Sequence, residues 1–276
     1  MPTETVLAAW NSLQKIVGQN AKVHLTGGEP FLYWDNIIEI LKQANACGLG
    51  SVDMIETNAF WATNETIARE KVTLLDKLGM AKLKISCDPF HQEYVPIERV
   101  QILANTSREI LGADRVLVRW QEYLNSNATI AGLTDNQKQK QYLLSMKEHP
   151  CRFTGRAAEK CAPLLASTPI EKLKNKTCRG SFLSAKGVHI DPYGNVFSGT
   201  CSGITLGNIN STPLEDIWKS FHPENNELIK TLFEQGPYGL MEKAITHGFK
   251  KPALLAGKCH LCTIIRQFLD EKEIYF

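Results

Sequence analysis

The sequence predicts an α/β fold: a parallel sheet, doubly wound or curled into a full or partial barrel, followed by a smaller cysteine-bearing module. Three observations carry this. Helix-period and strand-like apolar runs alternate through the first half of the chain, and that alternation stops at about Pro150. Beyond it, Cys178, Cys201, Cys259 and Cys262 accumulate around a hairpin signal and a final helix.

Taken in order, Val6, Trp10, Leu13 and Val17 recur at helical spacing, so the chain opens in a helix. Lys22–Thr26 reads as a short strand. Gly27 and Gly28 then let the backbone approach a ligand closely, Pro30 stiffens the exit, and Glu29 is offered at the strand tip. Asp35 is expected to cap a helix carrying Ile37, Ile38, Leu41 and Ala44, which Gly48 ends. Val52–Thr57 is the next strand. Thr63 or Asn64 starts a helix with Ala68, Val72, Leu75 and Leu78 on one face, stopped by Gly79. Lys82–Ser86 is a strand, Pro96–Leu111 a helix, Arg115–Gln121 a strand, and a further helix falls between Asp135 and Glu148. Strands separated by helices of this length imply parallel pairing.

Parallel α/β folds meet their ligands at the carboxyl ends of the strands. Here those ends are Thr26-Gly27-Gly28-Glu29, Thr57-Asn58, Ser86-Cys87-Asp88, and Arg119 with Gln121. Small and polar groups thus converge at one sheet edge, as a cofactor pocket requires. Past Pro150, Cys151–Arg156 is a basic loop and Lys172–Lys176 a polar linker. Gly187–Phe197 reads as a hairpin turning at Asp-Pro-Tyr-Gly-Asn, and Pro213–Phe221 as a short helix.

A chain of 276 residues suits one large domain or two smaller ones, and its 43% apolar share is that of a folded protein. A net charge of +2 gives no case for nucleic acid. No apolar run approaches a membrane span and no signal-peptide pattern opens the chain, so the expectation is a cytoplasmic protein without a membrane partner. In that reducing compartment eight cysteines point to metal ligation or buried thiols, not disulfides. Cys178 precedes the hairpin and Cys201 follows it, while Cys259 and Cys262 can reach one metal from a single turn. Four such thiolates suit tetrahedral zinc or a cubane iron–sulfur cluster, and spacing does not choose between them. His260 is expected beside the ligands or on the surface, and Cys47 as a packing thiol. Cys87 is ambiguous, and nothing favours Cys151 and Cys161 as ligands in another arrangement.

Gly27-Gly28-Glu29-Pro30, Ile85-Ser-Cys-Asp88 and the tail Val188-His-Ile-Asp-Pro-Tyr-Gly-Asn-Val…Cys201…Leu206-Gly-Asn-Ile…Leu214-Glu-Asp-Ile-Trp218 together resemble one family. It is the radical S-adenosylmethionine enzymes that carry a SPASM or twitch-type auxiliary-cluster module. The resemblance implies a partial (β/α)6-type parallel barrel missing its first strand over residues 1–165, with the auxiliary module over 166–276. It implies that Glu29, with the backbone of Gly27 and Gly28, holds the methionine amino group of S-adenosylmethionine. By the same resemblance Asn58, Ser86 and Asp88 face its carboxylate and ribose, and Arg119 contacts a carboxylate or the substrate. Cys178, Cys201, Cys259 and Cys262 then ligate an auxiliary 4Fe–4S cluster, with zinc as the alternative. His91 and Arg156 are weak catalytic candidates. The implied activity is 5′-deoxyadenosyl-radical chemistry on a peptide or protein, fed by an electron donor such as flavodoxin or ferredoxin.

One departure is large. The family binds its cofactor through a Cys-x-x-x-Cys-x-x-Cys loop after the first strand, and these 276 residues contain no such run. Two readings compete: the first residue is internal to a longer parent enzyme, or the chain is a degenerate relative that binds iron–sulfur or zinc and a partner through a vacant cleft. The first is preferred because the pocket residues are intact, and because a lost first strand leaves an exposed sheet edge. A third reading is an unrelated α/β enzyme with structural zinc.

Overall fold

Gly27 and Gly28 set where the sheet can go, because both take positive φ (86° and 52°) and end the first strand after two residues. In the computed structural model, which describes residues 1–126, 129–183, 187–199, 201 and 203–274, the chain divides into two compact units. The first holds Met1–Ser145 with Pro213–Glu215, and the second holds Met146–Thr212 with Asp216–Phe276.

The first unit runs α1 (Thr3–Val17), β1 (His24–Leu25), α2 (Trp34–Ala46), β2 (Met54–Thr57), α3 (Glu65–Lys77) and β3 (Lys82–Ser86). It continues through the single turn α4 (Pro89–Gln92), α5 (Ile97–Leu111), β4 (Val116–Arg119), α6 (Gln121–Asn125) and most of α7 (Asp135–Glu148). The four strands form one parallel sheet in the order β1-β2-β3-β4. The fold is therefore mixed α/β with a parallel sheet, as the alternating pattern predicts.

Most of the expected elements are present, with shifts at their ends. Asn64 caps α3 as expected, its side-chain oxygen accepting from the Ile67 N–H at 2.9 Å. Asp35 is not the cap of α2; Tyr33 holds that position and Asp35 lies in the first turn, where its charge still favours the helix dipole. The strand expected over Arg115–Gln121 stops at Arg119. Trp120 turns left-handed (φ 62°), and Gln121 begins α6 instead of extending the strand.

Alternation along β2 and β3 separates two faces. Ile55, Leu83 and Ile85 are fully buried and join one core with Ile40 and Leu41 of α2, Val72 and Leu75 of α3, and Val100 and Leu103 of α5. The opposite face carries His24, Glu56, Lys84, Ser86, Leu117 and Arg119, paired Glu56 to Lys84, Lys84 to Leu117 and Ser86 to Arg119 in the ladder. A parallel sheet covered on both faces reads as continuous apolar runs. This one is polar on one face.

The second unit contains α8 (Arg156–Lys160), α9 (Ala162–Leu165), β5 (Thr168–Pro169) and α10 (Arg179–Leu183). The expected hairpin follows as β6 (Val188–Ile190) and β7 (Asn195–Ser198), with Asp191 accepting from the Tyr193 and Asn195 N–H groups in the turn. A third strand, β8 (Thr205–Asn208), was not anticipated. α11 (Leu214–Lys219) begins in the first unit, and α12 (Glu227–Glu234), α13 (Gly236–Thr246), β9 (Leu254–Leu255) and α14 (Lys258–Glu271) complete the second. β5 pairs antiparallel with β9. Leu173, inside the expected polar linker Lys172–Lys176, and Ile170 just before it are core residues, so that stretch is packed at its start. Among the described residues, no helix is long and apolar enough to cross a membrane.

The face assignment has a direct test. Leu83→Ala should lower the free energy of unfolding in urea by about 2–5 kcal/mol. Leu117→Ala, one strand away on the polar face and 42% exposed, should cost no more than about 0.5 kcal/mol.

Candidate functional site

Glu29 leaves the glycine turn and folds back onto the end of β2. One carboxylate oxygen accepts from the Phe31 N–H (3.1 Å) and the Thr57 hydroxyl (2.9 Å), and the other from the Asn58 N–H (2.7 Å). Only 9% of the residue is exposed, and no cation among the described residues forms an ion pair with it. Burial raises its pKa, and the Asn58, Phe31 and Thr57 donors, together with the charge of the nearby His91, recover only part of that shift. A carboxylate offers about four acceptor sites, so one is spare beyond the three donors. Gly27 and Gly28 are exposed, and a Cβ built on either would meet nothing within 4 Å.

The loop is held from behind by aromatic rings. Phe31 stacks on Trp61 (centroids 4.5 Å apart) and on Trp34 (5.6 Å), and Lys71 Nζ lies 3.5 Å from the centre of the Trp34 ring. The Thr57 hydroxyl that donates to Glu29 accepts from the Trp61 indole N–H at 3.0 Å. Asn58 closes an Asx turn, its side-chain oxygen accepting from the Phe60 N–H at 2.9 Å.

At the end of β3, Asp88 caps the single turn α4. Its Oδ1 accepts from the Phe90 and His91 N–H groups (3.1 Å each), and its Oδ2 sits 2.7 Å from His91 Nδ1. Asp88 is buried and orients His91. Burial works against the charged imidazole, but the Asp88 carboxylate outweighs it and the His91 pKa is raised. His91 Nε2 has no hydrogen-bond partner among the described residues. α7 braces this turn: Tyr142 and Lys138 both reach the Glu93 carboxylate, at 2.9 and 3.2 Å, and Phe90 stacks on Tyr142.

Ser86 donates to Glu56 Oε1 at 3.3 Å, and this introduces a group that sequence reading missed. The Glu56 carboxylate also accepts from Thr26 (3.0 Å) and Lys84 (3.2 Å), with His24 Nε2 3.6 Å away. Burial raises its pKa, but Lys84, Thr26 and His24 more than offset this, so the group is held below the usual carboxylate range. Alternating charged residues in a strand look like an ordinary solvated face; only the register shows that they meet. Arg119 is exposed, 5.4 Å from the Trp120 ring, and close enough to His91 to oppose its protonation. Cys87 is fully buried beside Gln92, and burial pushes its thiol up to about 11, which makes it inert.

In the second unit Cys178, Cys201, Cys259 and Cys262 all line one small cavity of about 40 Å³. Cys259 and Cys262 share one face of the first turn of α14, and Cys178 stands one residue before α10. Burial pushes the Cys178 thiol up to about 12 and raises Cys201 and Cys262, with the neighbouring sulfurs adding to each. Arg152, Lys258 and Arg266 line the same cavity. No three His, Cys, Asp or Glu side chains among the described residues are placed to hold a single metal ion. The thiols therefore share a cavity without being gathered around one point. His260 is outside the cavity wall; it is buried, and its Nδ1 accepts from the Ala256 N–H at 3.2 Å. Cys161 has Cys151 as an electrostatic neighbour, whereas Cys47, expected to pack, is exposed. Arg156 opens α8, and its side chain lies outside the described residues.

No protein-family model matches the chain, and no curated protein matches it.

Titration of the His91 ring by NMR should give a midpoint above 6.5, and Asp88→Asn should lower it. The folded-state pKa is the raised one, so this pair's stabilisation is complete below the unfolded value near 6.5 and is lost as pH rises through the folded midpoint. An unmoved midpoint in Asp88→Asn would discount the contact.

Proposed function

We propose that the chain is the scaffold of a radical S-adenosylmethionine protein. In this reading a partial (β/α)6-type barrel core is followed by a SPASM or twitch-like module, and the substrate is a peptide or protein. The observation that carries the proposal is Glu29: a buried carboxylate held by three neutral donors, with no ion-pair partner among the described residues, directly after two exposed glycines of positive φ. Such a group is completed by a ligand ammonium, which would satisfy the spare acceptor site and offset the cost of burial. Thr57, Asn58 and Phe31 hold the carboxylate in place before any ligand arrives, so little ordering is left to do on binding. Arg119 supplies positive charge for a carboxylate, and Asp88 orients the His91 imidazole as a proton donor or acceptor at Nε2.

When bound beside a reduced cluster, S-adenosylmethionine supplies a 5′-deoxyadenosyl radical that abstracts hydrogen. The residues described here bind and orient; no Cys-x-x-x-Cys-x-x-Cys run that could hold the reducing cluster occurs within these 276 residues. That observation favours a second reading, in which the same cleft binds its ligand without turning it over. Cleavage of the sulfonium under reducing conditions separates the two.

For the four thiols, the choice is between iron–sulfur and zinc. A single zinc with bonds of about 2.3 Å draws its sulfurs to roughly 4 Å of one another. A polynuclear core spreads them more widely. The 4Fe–4S assignment over zinc rests on the resemblance, since the thiols line one small cavity and are not gathered for a single ion among the described residues. Either group needs thiolates, so binding must release the protons that burial now retains on Cys178, Cys201 and Cys262.

Glu29→Gln should weaken S-adenosylmethionine binding about tenfold or more by calorimetry. Wild-type affinity should fall as pH drops through the raised Glu29 pKa, because the protonated acid no longer attracts an ammonium. Equal affinity in the two proteins would remove Glu29 from the pocket. After anaerobic reconstitution with iron and sulfide, Cys259→Ala and Cys262→Ala should each lose the visible absorbance and the bound iron; wild-type iron content in both would discard them as ligands.

A further inference from the structure

The Thr57 hydroxyl has a forced direction. It holds one proton to give and two lone pairs to share. The Trp61 indole N–H donates to it at 3.0 Å and the Ala59 N–H at 3.1 Å, and both of those groups can only donate. Both lone pairs are thus engaged, and the one proton is left for Glu29 Oε1, 2.9 Å away. Ala59 is fully buried and left-handed (φ 68°), a backbone conformation that costs a residue with a Cβ and that accompanies the bond from its N–H to Thr57. Glu29 Oε1 also accepts from the Phe31 N–H, so both of its acceptor positions are used. Oε2 accepts from the Asn58 N–H and keeps one position.

We infer that Thr57 is a positioning residue, locked by Trp61 and Ala59, that confines ligand recognition to one acceptor position on Glu29 Oε2 and so selects a primary ammonium. The ligand half of the inference rests on the ammonium reading of Glu29. An ammonium gives one of its N–H groups to a single oxygen. A guanidinium fork pairs two N–H groups with two carboxylate oxygens, and here one oxygen is already full. A quaternary ammonium has no N–H to give. A proton added to Glu29 would take the same position on Oε2, so proton and ligand exclude one another there. His91 of α4 is the charged neighbour of Glu29, and the three groups bonded to the carboxylate are neutral.

The test uses the full chain as wild type, Thr57→Val, Thr57→Ser and Trp61→Phe, with circular dichroism to check folding. The Glu29 carboxyl carbon is titrated by NMR without ligand, and His91 titrates in every protein compared. Thr57→Val removes a donor from Oε1, so its Glu29 midpoint should lie above the wild-type one, and Trp61→Phe should move it the same way by less. Thr57→Ser keeps the hydroxyl and should stay at the wild-type midpoint. Calorimetry then compares S-adenosylmethionine with its α-deamino analogue, which lacks the ammonium. The preference for the ammonium-bearing ligand should fall about fivefold in Thr57→Val and return in Thr57→Ser. An unmoved midpoint in whichever of Thr57→Val and Trp61→Phe folds overturns the inference alone, as does an equal rise in Thr57→Ser. No preference between the two ligands in the wild type overturns the ammonium reading of Glu29, and the ligand half of the inference with it.

Discussion

The first unit depends on how one buried carboxylate is held. Glu29 joins the turn after β1 to the end of β2 through three hydrogen bonds, and each donor belongs to a different kind of local structure. Phe31 donates from the turn that Pro30 begins, Thr57 from the last position of a strand, and Asn58 from the residue that leaves it. The stacked Phe31, Trp34 and Trp61 rings fix the turn from the core side. The result is an anion whose solvation has been replaced by protein dipoles, with capacity for one more donor. Ligand binding at such a point gains from geometry already established.

The polar face of the sheet extends the same logic. Glu56 collects His24 and Thr26 from the β1 side and Lys84 and Ser86 from β3, and the ladder places Glu56 directly opposite Lys84. This network lies on the face opposite the apolar core, so it binds the strands together without using the core's packing. His91 stands close enough to it to feel the Glu56 charge, which links the floor of the sheet to the Asp88 turn at its rim.

How much of this was legible depended on range. The glycine turn, the Asn64 cap and the alternating helices could be read because their signals are local. Glu56 and Lys84 could not, since a charged residue at every second strand position looks solvated until register brings 56 opposite 84. Asp88 could be placed at a strand end, yet its service to His91 depends on capping geometry that the resemblance did not include. The four thiols were legible as a set through their spacing. Arg152, Lys258 and Arg266 were not, because nothing in a run of sequence tells which cations will line a cavity. Cys47 was misread for the opposite reason: an apolar residue type at the end of a helix does not decide which way that end faces.

The Trp61 indole reaches Glu29 through a single hydroxyl: its N–H donates to Thr57, and Thr57 donates onward to the carboxylate. Any cation arriving at Glu29 redistributes charge along that short chain and changes the field at the indole. A change of charge at Glu29 is therefore expected to shift the emission of this indole.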